Sequence, residues 1–191
     1  RNIIGHEKAR KDFDPDVIKV MNDSLMIMVV DVSMVKEAAD LRKIVPPAMD
    51  SEWMIKSKEL TERVLAYYKD SEAPKYVTGF SPFMVLRTSF DQIFRGEDNK
   101  TKLLNFLKED PDSFLVALDI IGDTIMKLNE MLVKECGADG LYFSVNNQSH
   151  YFPDDIYREY ITPSDKKVIA HANTLSDINL LHICGYAGKA N

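Results

Sequence analysis

Residues 110–145, DPDSFLVALDIIGDTIMKLNEMLVKECGADGLYFSV, decide the fold class of this chain. Apolar side chains recur at intervals of three and four residues from 114 to 136, which predicts one apolar stripe along a helix of about six turns. Asp110-Pro111 starts this helix and Gly137 ends it, because proline suits a first helical turn and glycine commonly follows a last one. Residues 140–145 (GLYFSV) are rich in β-forming side chains. The stretch therefore predicts a long helix that leads directly into a strand.

Three further apolar segments predict strands on either side of this unit. Residues 75–80 (KYVTGF) precede the long helix, and residues 179–184 (NLLHIC) come last. Residues 25–30 (LMIMVV) form a continuous apolar run, which fits a strand buried on both faces.

The remaining segments predict helices between these strands. Helices are expected over 52–68 and over 154–172, the second interrupted near Thr162-Pro163, and Asp14-Pro15-Asp16 offers a helix start before residues 17–20. Residues 1–15 are polar and predict a loop or a loosely attached helix. Alternating strands and helices call for parallel strands joined by crossover helices, so the sequence predicts an α/β fold.

The composition predicts a soluble globular protein. The 191 residues include 24 Lys and Arg against 30 Asp and Glu, a net charge of −6, which argues against nucleic acid as a partner because duplex binding depends on clustered cations. The longest apolar run is far shorter than the ~18–20 residues of a membrane helix, so no membrane partner is expected. Two cysteines are too few for a disulfide scaffold and predict a reducing, cytoplasmic location.

His182 and Cys184 are candidate metal ligands. They are two residues apart on a predicted strand, so both side chains point to the same face. A thiolate with an imidazole is a ligand set that zinc favours. The same pattern is also typical of a core cysteine beside a hydrogen-bonded histidine, and a catalytic zinc usually has three protein ligands.

The strand at 140–145 and the loop after it hold candidate substrate-binding residues. Tyr142, Ser144 and Asn146 alternate with apolar residues, so one face of the strand is polar, and His150 follows in the loop. In folds of this class the chemistry lies at the carboxyl ends of the strands. A half-exposed edge strand and a solvated loop histidine would give the same pattern.

Four segments in chain order resemble the uroporphyrinogen decarboxylase superfamily, which includes zinc- and corrinoid-dependent methyltransferases. Residues 75–83 (KYVTGFSPF) are similar to the family's strand and turn with a Gly-Phe and a Pro-Phe pair. Residues 135–142 (ECGADGLY) resemble its Gly-Ala-Asp segment before the next strand, and residues 157–163 (YREYITP) its Arg-Glu-Phe-x-x-Pro helix. Residues 181–185 (LHICG) resemble the strand that carries His-x-Cys-Gly in the methyltransferase branch.

The resemblance implies a (β/α)₈ barrel and a zinc site. In the methyltransferase branch the His and Cys of this motif bind zinc, so His182 and Cys184 are the implied ligands, and a downstream cysteine completes the site. The implied reaction moves a methyl group from a corrinoid on a partner protein to a small-molecule thiol that the zinc activates. Tyr142, Ser144, Asn146 and His150 would then line the cavity.

Two alternatives stay open within the resemblance. The first is decarboxylation of a tetrapyrrole without metal or cofactor, which needs a basic cleft. However, the family's arginine-rich motif has no match here, and Ser144-Val145-Asn146 stands where that branch has an Asp. The second alternative is a non-catalytic barrel that binds a tetrapyrrole or corrinoid.

The length of the chain also bears on this assignment. A (β/α)₈ barrel takes ~250 residues, so residues 1–191 are expected to be a single domain that is a truncated portion of such a barrel, and this piece could be inactive alone. Unpaired strand edges recruit other chains, which predicts that the isolated piece is a homo-oligomer, domain-swapped or poorly soluble.

Overall fold

The sheet contains four parallel strands, which lie side by side in the order in which the chain forms them. A computed structural model describes residues 2–21, 25, 27–146 and 152–185, and these strands are counted within that part of the chain. The strands are β1 (Ile18–Val20), β2 (Lys75–Phe80), β3 (Gly140–Asn146) and β4 (Leu180–Cys184). The predicted α/β class with parallel strands is confirmed.

Helices precede β1 and connect the strands. They are α1 (Asn2–Phe13), a 3₁₀ helix (Ala38–Lys43), α2 (Glu52–Tyr67), α3 (Pro82–Ile93), α4 (Asn99–Glu109), α5 (Pro111–Glu130), α6 (Asp154–Ile156) and α7 (Thr162–Ala172). Two π-helical turns, Met131–Glu135 and Tyr157–Ile161, extend α5 and join α6 to α7. None of the described helices is long and apolar enough to cross a membrane.

The long helix predicted from the apolar stripe is α5 with its π-helical turn. The Asp110 side chain caps its first turn by accepting a hydrogen bond from the Ser113 backbone N–H at 3.0 Å. Phe114 and Ile121, both on the stripe, are fully buried. Gly137 has a φ of +83°, a conformation that glycine adopts without strain and that ends the helix as predicted.

The register of the strands gives the sheet two different faces. The outer face is apolar and packs against the helices; its buried residues are Ile18, Val20, Val77, Leu141, Phe143 and Val145. The inner face is largely polar and consists of Lys19, Tyr76, Thr78, Phe80, Gly140, Tyr142, Ser144, Asn146, Leu180, His182 and Cys184. Four parallel strands in chain order with helices on one face are the arrangement of successive units in a (β/α)₈ barrel.

One close approach fixes the start of β3. A Cβ atom at Gly140 would clash with the backbone carbonyl of Ile178, which precedes β4. The Leu141 N–H donates to the Asn179 side chain at 2.9 Å, and the Ser176 hydroxyl donates to the Asp139 carbonyl at 2.6 Å. Because these contacts hold the chain before β4 against the start of β3, they bring His182 and Cys184 alongside that strand.

The predicted strand at residues 25–30 is wrong. Leu25 and residues 27–30 have irregular backbone, although Met28 and Val30 are buried in the core. The Val30 N–H is satisfied by the Ser89 hydroxyl at 3.0 Å and not by a neighbouring strand. An apolar run can therefore enter the core without joining the sheet when a side chain satisfies its backbone.

The first strand lies where the sequence suggested the start of a helix. Residues 18–20 pair in parallel with residues 75–77, and the Ile18 N–H donates to the Pro74 carbonyl at 2.8 Å. The pairing partner is distant in sequence, so tertiary structure determines this strand. Residues 1–15, expected to be a loop or a loosely attached helix, contain α1, whose His6 carbonyl accepts a hydrogen bond from the Tyr68 hydroxyl at 3.0 Å.

Candidate active site

The inner face brings the predicted metal ligands next to the predicted substrate-binding residues. In the parallel register of β3 and β4, Ser144 lies beside His182 and Asn146 beside Cys184. His182 and Cys184 share the inner face and are half-buried, as the period of a strand requires. The imidazole and the thiol therefore both lie at the carboxyl end of β4.

Tyr142 connects this pair with the first strand. Its ring centroid is 5.2 Å from that of His182, with 32° between the ring planes. The Lys19 Nζ is 4.3 Å from the centroid of the Tyr142 ring, which is a cation–π distance. Lys19, Tyr142 and His182 thus form a continuous row across the inner face, from β1 to β4.

The predicted substrate-binding residues differ in exposure. Tyr142 and Asn146 are half-buried, whereas Ser144 is 6% exposed. His150 lies outside the described residues, so its predicted position in the site stays a prediction. The structure therefore places Tyr142, Ser144 and Asn146 on one face beside His182 and Cys184.

The donors present fit zinc in type but do not complete a zinc site. A thiolate and an imidazole two residues apart on one strand face are suitable zinc ligands. Among the described residues, no group of three or more His, Cys, Asp or Glu side chains could hold a metal ion. His182 and Cys184 would therefore supply two of the three protein ligands that a catalytic zinc usually takes.

Sequence reasoning missed Lys19 as a residue of this face. Burial lowers the pKa of its ammonium, and the nearby Cys184 thiol opposes that shift to a smaller extent. Lys19 was missed because residues 17–20 were assigned to the start of a helix. The alternation of Ile18, Lys19 and Val20 was the available signal for a strand, but three residues are too few to establish a period.

Asp165 on α7 is a buried carboxyl near the carboxyl end of β2, and the sequence did not predict it either. The Tyr157 hydroxyl donates to its Oδ2 at 3.1 Å, and Asp165 is 6% exposed. Burial raises the pKa of Asp165 to about 6, while hydrogen bonds from the Ser81 and Tyr157 hydroxyls act in the opposite direction. Ser81 directly follows β2, so Asp165 ties α7 to the turn at the carboxyl end of that strand.

These observations define an α/β protein of the parallel barrel type with polar side chains clustered at the carboxyl ends of its strands. The family model for uroporphyrinogen decarboxylase (URO-D) matches residues 27–190, which is most of the chain. The protein therefore belongs to the uroporphyrinogen decarboxylase superfamily, as the four sequence segments indicated. A search of curated proteins found no match.

Proposed function

We propose that this protein is a methyltransferase of the uroporphyrinogen decarboxylase family, which moves a methyl group from a corrinoid on a partner protein to a small-molecule thiol. The observation that supports this function is the placement of His182 and Cys184 together on the inner face, beside Ser144 and Asn146. A zinc ion held there would stabilise the thiol substrate as a thiolate, because coordination to a metal lowers the pKa of a thiol.

The protein's own residues would bind and orient the reactants. His182 and Cys184 would hold the metal, and the Tyr142 ring packs against the His182 imidazole with 5.2 Å between ring centroids. Ser144 and Asn146 offer hydrogen bonds to the substrate from the neighbouring strand. The corrinoid would supply the methyl group to the sulfur and keep the electron pair of the broken cobalt–carbon bond, and the thiol proton would leave to solvent.

The charge of the inner face favours this reaction over decarboxylation of a tetrapyrrole. A substrate with several carboxylates calls for several cations in the cleft. Among the described strand residues of the inner face, Lys19 is the one lysine or arginine. The balance of observations therefore supports a thiol acceptor over a polycarboxylate.

Metal binding gives the direct test of the proposal. The full chain is loaded with cobalt(II) as a spectroscopic substitute for zinc, and the variants His182→Ala and Cys184→Ser are compared with it. We expect a cobalt–thiolate absorption band in the wild-type protein. Each variant should bind cobalt about tenfold more weakly or worse, because the loss of a group that only orients a metal ligand already costs about that much. Transfer from methylcobalamin to a thiol is then measured on the zinc-loaded protein.

The chain supplies matched controls for both ligands. His171 lies on α7 and Cys136 follows α5, so neither belongs to the inner face. His171→Ala and Cys136→Ser should therefore leave cobalt binding unchanged. Equal loss in control and test variants, or metal-independent methyl transfer in His182→Ala, would contradict the proposal.

A further inference from the structure

Lys19 occupies a distinctive place on the inner face. It is the middle residue of β1, and its ammonium contacts the Tyr142 ring, which in turn contacts the ring of His182. One aromatic ring therefore contacts both the ammonium and the imidazole of the candidate metal site. A ligand that contacts both His182 and Lys19 would lie against the Tyr142 ring.

No carboxylate among the described residues pairs with the ammonium of Lys19. Among the described residues, no carboxylate oxygen lies within 4.0 Å of its Nζ, and the strand residues of the inner face include no Asp or Glu. Elsewhere lysines are paired: Lys167 contacts Asp119 at 3.0 Å and Asp123 at 2.9 Å. The chain carries an excess of acidic residues, yet the described strand residues of this face include a cation and no Asp or Glu.

The surroundings of Lys19 make such a cation a suitable anion ligand. The side chain is half-buried, so its ammonium has lost part of its hydration. A partly desolvated charge is costly unless an opposite charge or hydrogen bonds compensate for it. The Tyr142 ring compensates in part and also fixes the position of the ammonium on the inner face.

We infer that Lys19 is a specificity-determining residue, which holds a small anionic group of the substrate, such as a carboxylate, beside the Tyr142 ring. The identity of the reacting group rests on the proposed function, but binding of the anion to Lys19 does not. The ligand class is a short molecule with a single negative charge, because one cation faces the cleft on the described strands. Tyr142 acts as a positioning residue for the ammonium.

Two titrations separate this inference from the proposed function. In the first, metal-free protein is titrated with propionate, which has no thiol, and amide shifts are followed by NMR. We expect saturable shifts in residues of β1 and β3 that Lys19→Met abolishes and Lys19→Arg partly retains. In the second, the cobalt-loaded protein is titrated with 3-mercaptopropionate and with neutral 2-mercaptoethanol, and the cobalt–thiolate band is measured.

The second titration gives the selectivity directly. The wild-type protein should bind the carboxylated thiol about tenfold more tightly than the neutral one, and Lys19→Met should remove this preference. The control variant Lys69→Met loses the same charge at an exposed position and should retain the preference for the carboxylated thiol. Propionate shifts or a thiol preference that survive unchanged in Lys19→Met would overturn the inference. If cobalt does not bind but the propionate shifts depend on Lys19, the proposed function fails while the anion site stands.

Discussion

The two faces of the sheet differ in how deeply their side chains are buried, and adjacent residues of β3 show the difference. Phe143 on the outer face is 2% exposed and belongs to the hydrophobic core. Tyr142 and Asn146 on the inner face are half-buried, and Tyr142 contacts Lys19 and His182. Residues that stabilise the fold and residues that form the candidate site thus alternate along one strand. Substitutions at neighbouring positions should therefore have separable effects.

The largest expected effect is a loss of stability on the outer face. Phe143→Ala should lower the free energy of unfolding by about 3–5 kcal/mol, because it removes a fully buried aromatic ring and leaves a cavity. The neighbouring Tyr142→Ala should cost only about 1 kcal/mol, since its ring is half-buried. Urea unfolding followed by circular dichroism measures both values. Equal losses in the two variants would show that the inner face carries as much of the stability as the outer face.

A smaller effect is expected from Asp165, the buried carboxyl behind the end of β2. The folded protein holds its proton up to about pH 6, whereas an unfolded chain releases it near 3.8. Between these values the folded state binds more protons than the unfolded state, so the free energy of unfolding falls as pH rises. The decrease is at most about 3 kcal/mol, and Asp165→Asn should abolish it.

The comparison needs a control for the loss of one carboxylate. Glu109, at the end of α4, is exposed, so Glu109→Gln serves this purpose. Urea midpoints at pH 4.5 and pH 7.5 are compared for the wild-type protein and both variants. If the pH dependence of the wild-type protein persists in Asp165→Asn, other titratable groups cause it.

The smallest effect on stability is expected on β4, where the outer face is open. Leu181 is 59% exposed and Ile183 is 50% exposed, so replacing both with serine should change the free energy of unfolding by no more than about 0.5 kcal/mol per site. The same double variant should reduce self-association in sedimentation velocity, because exposed apolar strand residues favour contacts between chains. Ile55→Ser, at an exposed position on α2, should leave self-association unchanged. If the double variant associates like the wild-type protein, β4 is not the contact surface.

The sequence predicted the fold well wherever a local signal was long enough. Residues 75–80 and 140–145 and the apolar stripe of α5 have clear periods or strong end signals, and all three appear as strands or helix in the structure. Residues 25–30 and 18–20 were assigned wrongly for a common reason. Whether a short apolar segment pairs as a strand depends on partners distant in sequence, such as Ser89 for Val30.

The candidate site was predictable to the extent that it depends on strand geometry. The period of two correctly gave a common face for Tyr142, Ser144 and Asn146, and another for His182 and Cys184. The pairing that sets His182 beside Ser144 could not be read from the sequence, because register depends on how β3 and β4 meet. Lys19 was not predicted as a site residue because its strand, β1, had been assigned to the start of a helix.

The π-helical turn after α5 lies shortly before β3, the strand whose alternation decides which side chains face the inner side of the sheet. An extra residue in an α-helix rotates all later residues by about 100°, whereas a wide π-helical turn absorbs the addition locally. The apolar stripe shows this in its last two intervals, both of four residues, from Leu128 through Leu132 to Cys136. A shift of one residue at the start of β3 would exchange Tyr142 for Phe143 on the inner face. The turn thus keeps Leu132 and Cys136 in line with the apolar stripe, so the helix stays packed up to the point where the chain leads into β3.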